Sequence, residues 1–103
     1  MYIDGEWRSA LSGNTFESTN PATGDVLGTA PDGGRADARK AIDAAGAALP
    51  AWRATTAYER AEILAAAYRL MIERQDELAT LMTREQGKPL RMARTEVGYA
   101  ADF

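Results

Sequence analysis

Neither cysteine nor histidine occurs anywhere in the 103 residues. The first absence removes disulfides and thiolate nucleophiles, and the second removes imidazole bases. Together they exclude ordinary zinc sites and every Ser-His or Cys-His catalytic arrangement. Chemistry is left to carboxylates, hydroxyls, two lysines and backbone amides. With no cysteine, the redox compartment is not indicated. Long hydrophobic runs are also missing, so no bilayer-crossing segment is expected, and Met1-Tyr2-Ile3-Asp4 does not read as a secretory signal. A cytoplasmic location without a membrane partner is the expectation. Nor is there a concentration of positive charge: the net charge is -3, and the arginines are dispersed among carboxylates. Nucleic acid is therefore not expected as a partner.

What is present is the composition of a globular domain. Hydrophobic residues make up 46% and charged residues 26%, enough for one small domain with a modest core. The first third carries strand and turn signals. Tyr2-Ile3-Asp4-Gly5-Glu6-Trp7 places an Asp-Gly turn between short apolar pieces, which predicts a hairpin. Asn14 to Thr19 alternates loosely and runs into Asn20-Pro21-Ala22-Thr23-Gly24, turn chemistry throughout. Asp25 to Ala30 reads as a returning strand that stops before Pro31.

From Gly34 onward the period becomes helical. Ala38, Ala41, Ile42, Ala45 and Leu49 form one stripe, expected to close at Pro50. Thr56-Ala57-Tyr58-Glu59 is a capping box, followed by a face of Ala61, Leu64, Tyr68, Met71 and Ile72. A third helix is expected from about Asp76 with Leu78, Leu81 and Met82. Gly87 stops it, and Pro89 opens a fourth with Leu90, Ala93, Val97 and Ala100 in register. That last stripe is still in phase at Phe103, so the helix is expected to be truncated.

Gly87-Lys88 is the one Gly-Lys pair, but no earlier glycine stands at Walker spacing and Pro89 follows the lysine. Gly past one helix and Pro at the start of the next is helix punctuation. Nothing in the neighbouring sequence desolvates Lys88, which argues against a catalytic lysine. Asp32-Gly33-Gly34 precedes a helix without a Gly-x-Gly-x-x-Gly pattern, and Asp32 and Asp37 already supply negative charge there; a strand-to-helix turn is expected. Trp7, Trp52 and Tyr68 are expected as core or packing aromatics rather than a ligand cage.

In order and spacing, several motifs together resemble the N-terminal segment of the aldehyde dehydrogenase superfamily. They are Ile3-Asp4-Gly5-Glu6-Trp7, Asn20-Pro21-Ala22-Thr23-Gly24, Trp52, Glu59-Arg60-Ala61 with Leu64, Glu85-Gln86-Gly87-Lys88-Pro89 and Glu96-Val97. Glu85 to Leu90 and the run Glu96 to Ala100 are most similar to the succinate-semialdehyde dehydrogenase type. The resemblance implies an α/β parent fold in which this stretch supplies short N-terminal β-strands, over 1–33, followed by four α-helices, over 34–103, forming part of an incomplete cofactor-binding domain. It implies oxidation of an aldehyde to an acid with NAD or NADP: a cysteine forms a thiohemiacetal, hydride leaves to the nicotinamide, and a glutamate activates water. In the family those residues lie beyond the positions this chain matches, so no catalytic or cofactor-binding residue is assigned here.

The same resemblance implies a monovalent cation, sodium or potassium, held partly by a backbone carbonyl before the Asn-Pro turn and by the acidic residue before Gly-Lys-Pro. Those positions match Thr19 and Glu85. The implied partners are the remainder of a parent chain, a small aldehyde (succinate semialdehyde first) and further copies in a homo-oligomer. The chain by itself is expected to be inactive and to bind neither dinucleotide tightly. The rival expectation is a free-standing helical interaction module without catalysis.

Overall fold

A computed structural model describes all residues from Met1 to Phe103. Four short strands precede four helices. The chain divides into two compact units, one of Met1–Ser18 with Gly28–Thr55, the other of Thr19–Leu27 with Thr56–Phe103.

In the first unit, β1 (Tyr2–Ile3) and β2 (Glu6–Trp7) pair antiparallel, Tyr2 opposite Trp7 and Ile3 opposite Glu6. Asp4 (φ 56°) and Gly5 (φ 76°) are both left-handed, as a two-residue type I′ hairpin requires. Trp7 is 82% exposed and so is a packing aromatic and not a core one; it lies edge-to-face on Tyr2 at 5.3 Å between ring centroids. A second two-stranded ladder joins β3 (Thr15–Thr19) to β4 (Val26–Pro31). The strand includes Pro31 instead of stopping before it. A two-stranded ladder has only edge strands, where a missing N–H is tolerated.

Helix α1 (Arg35–Ala54) runs through Pro50, correcting the expected stop there. Proline forfeits the hydrogen bond to the carbonyl of Gly46 and crowds that carbonyl, and a glycine is the residue best able to yield locally. The helix instead closes at Thr55, whose N–H and hydroxyl both donate to the Trp52 carbonyl, at 3.2 and 2.6 Å. At its start, Asp37 is buried. One carboxylate oxygen accepts from the Gly34 N–H and the other from the Leu11 N–H, each at 3.0 Å. The strand-to-helix turn is thus closed by the chain's own carboxylate.

In the second unit, α2 (Ala57–Glu73) begins at the expected capping box. The Thr56 hydroxyl accepts from the Glu59 N–H at 3.2 Å, and the Glu59 carboxylate accepts from the Thr56 N–H at 2.7 Å. Arg74 alone separates α2 from α3 (Gln75–Gln86), and α4 (Leu90–Asp102) follows the corner at residues 87–89. The core of this unit lies between α3 and α4, where Ala79, Ala93 and Val97 are buried and Leu78 and Met82 pack against them. Alanines at the crossing let the two helices approach closely. The buried face of α4 is Ala93, Val97 and Ala101, with Ala101 in the place expected for Ala100 and Leu90 38% exposed. Beyond the core, Gln75 Nε2 donates to the Arg94 carbonyl at 3.0 Å, and Arg94 pairs with Asp76 at 2.7 Å. The apolar stripes of α1 and α2 form but are not covered: Ile42 is 70% and Leu64 63% exposed.

Candidate functional site

Helix α3 ends on Gly87 in the left-handed conformation, φ 74° and ψ 12°, with its N–H donating to the Thr83 carbonyl at 2.9 Å. Only glycine takes that conformation without strain. Pro89 then caps α4, its carbonyl accepting from Met92 and Ala93 at 2.8 and 3.0 Å. Gly87-Lys88-Pro89 is therefore an interhelix corner and not a phosphate loop. The Lys88 ammonium is already committed, to an ion pair with the Glu96 carboxylate of α4.

The Asn20–Gly24 turn is equally well defined. Asn20 Oδ1 accepts from the Ala22 N–H at 2.9 Å, an Asx turn. The Gly24 N–H donates to the Asn20 carbonyl at 2.8 Å, and the Asn20 N–H to the Asp25 carbonyl at 2.9 Å. This turn lies against the corner: a Cβ placed on Gly87 would meet Pro21 Cγ at 3.2 Å. Thr19 and Glu85, far apart in sequence, each stand two residues from that approach.

Glu85 occupies the last turn of α3, where the carbonyl end of a helix disfavours an uncompensated negative charge. The four ion pairs join Arg8 to Glu6, Arg74 to Glu77, Lys88 to Glu96 and Arg94 to Asp76, and none engages Glu85. Nowhere do three or more His, Cys, Asp or Glu side chains converge on a metal-sized position. A lone carboxylate is too weak a donor set for a divalent or transition ion. Glu85 also lines a groove of about 350 Å³ with Met71, Leu78, Met82, Glu96 and Val97.

Two features of this region were not read from the sequence. The partnership of Lys88 with Glu96 spans the start of a helix and follows no short-range spacing rule. Thr83 Oγ1, in the final turns of α3, is buried with no hydrogen-bond partner, which no local signal announces.

Residues 7–103 match the sequence model of the aldehyde dehydrogenase family. The chain belongs to that family. It is 59% identical over 102 residues to a glutarate-semialdehyde dehydrogenase of Pseudomonas putida, covering 99% of this chain and 21% of that protein. It is 57% identical over 101 residues to the succinate-semialdehyde dehydrogenase [NADP(+)] of Escherichia coli K12, covering 98% of this chain and 21% of the relative. The crystal structure of succinate-semialdehyde dehydrogenase from Burkholderia pseudomallei superposes with a TM-score of 0.94 at 52% identity, over 97% of this chain and 21% of that one. The strands and four helices are thus those of the N-terminal part of the aldehyde dehydrogenase fold, and the chain spans about a fifth of the length of the curated relatives it matches. No helix of this family member is long and apolar enough to cross a membrane.

Proposed function

We propose that this chain forms the N-terminal fifth of an NAD- or NADP-dependent aldehyde dehydrogenase that oxidises a short aldehyde bearing a distal carboxylate, succinate semialdehyde first, to the dicarboxylic acid. The observation that carries the reading is similarity, at 59% and 57% identity over nearly all of this chain and 21% of each relative, to two enzymes named for semialdehydes of this kind. With neither cysteine nor histidine, the chain's hydroxyls have no base to activate them. Its isolated glycines do not form a strand, glycine turn and helix N-terminus around a dinucleotide. The role of these residues is architectural: residues 1–33 supply strands and 34–103 supply helices to a larger cofactor-binding domain, whose other residues hold NAD or NADP and carry the chemistry. Further copies of the enzyme are proposed partners in a homo-oligomer, and the cytoplasm its location.

Within that role, the Thr19 carbonyl and the Glu85 carboxylate are proposed to hold a sodium or potassium ion. The unpaired state of Glu85 and the approach of the Asn20–Gly24 turn to the Gly87 corner support this. The ion would neutralise a carboxylate at a helix C-terminus and tie the turn to the corner.

The substrate reading is tested by kcat/KM of the full-length enzyme on succinate semialdehyde, glutarate semialdehyde, betaine aldehyde, propanal and benzaldehyde. A preference for the two carboxylated aldehydes is expected; a large preference for benzaldehyde overturns it. The 103-residue chain is expected to give no NADH or NADPH above the blank, and turnover by it would refute the architectural role.

A further inference from the structure

We draw no further inference here: the strongest candidate, the apolar groove among α2, α3 and α4 lined by Met71, Leu78, Leu81, Met82, Val97 and Ala100, is an unpartnered face, and nothing in the structure shows what covers it.

Discussion

Pro21 stands so close to Gly87 that a methyl group on the glycine would lie 3.2 Å from the proline Cγ. The contact joins the Asn20–Gly24 turn to the corner between α3 and α4, and it uses a residue whose φ of 74° already disfavours any side chain. Gly87→Ala therefore meets two penalties, left-handed backbone strain and a crowded proline ring. A loss of about 1–3 kcal/mol is expected. Urea unfolding of the full-length enzyme reads it, and an unchanged midpoint would show that the turn gives way freely.

Asp37 divides its two carboxylate oxygens between the N–H groups of Leu11 and Gly34. Asp37→Asn keeps the size but offers one acceptor oxygen and turns an NH₂ group toward a donor, leaving one half-buried N–H without its acceptor. The expected cost is about 1–3 kcal/mol. Amide hydrogen exchange should locate it, with protection falling at Leu11 or Gly34 while the amides of α3 and α4 keep theirs. Equal loss everywhere would contradict a local latch.

The capping box of α2 makes its stability pH-dependent. The Thr56 N–H, and after it the Thr56 hydroxyl, hold the Glu59 carboxyl below its ordinary value. A carboxyl with a depressed folded-state pKa stabilises above its unfolded value, and the stabilisation is lost as pH falls through the folded value. Thr56→Ala removes the hydroxyl contacts of the cap while keeping the backbone N–H to Glu59, and should cost about 1 kcal/mol near neutrality. The gap between wild-type and T56A urea midpoints should narrow from about pH 7 to about pH 3. A gap that widens in acid would contradict the assignment.

Uncovered apolar side chains set the behaviour of a polypeptide consisting of these 103 residues alone. Ile42, Leu64, Leu70 and Ile63 are 70%, 63%, 57% and 54% exposed, and faces of that kind seek cover. Such a polypeptide should bind ANS and sediment with a concentration-dependent mass while retaining near-native far-ultraviolet circular dichroism. A monodisperse, dye-silent monomer would favour a self-contained interaction module over the dehydrogenase segment.

The features legible in the sequence are those closed within a few residues. Asp4-Gly5 supplies both left-handed positions of its hairpin, Thr56 and Glu59 complete a cap across three residues, and Gly87 with Pro89 ends one helix and begins another. Family membership was legible as well, because ordered motifs spread from Ile3 to Val97 constrain one another. Tertiary structure decided what depends on distant neighbours. It showed that α1 runs through Pro50, since a lost hydrogen bond is a finite penalty that context offsets. It selected Ala79, Ala93 and Val97 as the buried contact, since periodicity marks a face but not which part of it meets a partner. The approach of Pro21 to Gly87 joins two turns far apart in the chain, and the Lys88–Glu96 pair bridges the corner and the second turn of α4. No short-range spacing rule encodes either, because both depend on where the folded chain carries each side chain and not on local backbone preference.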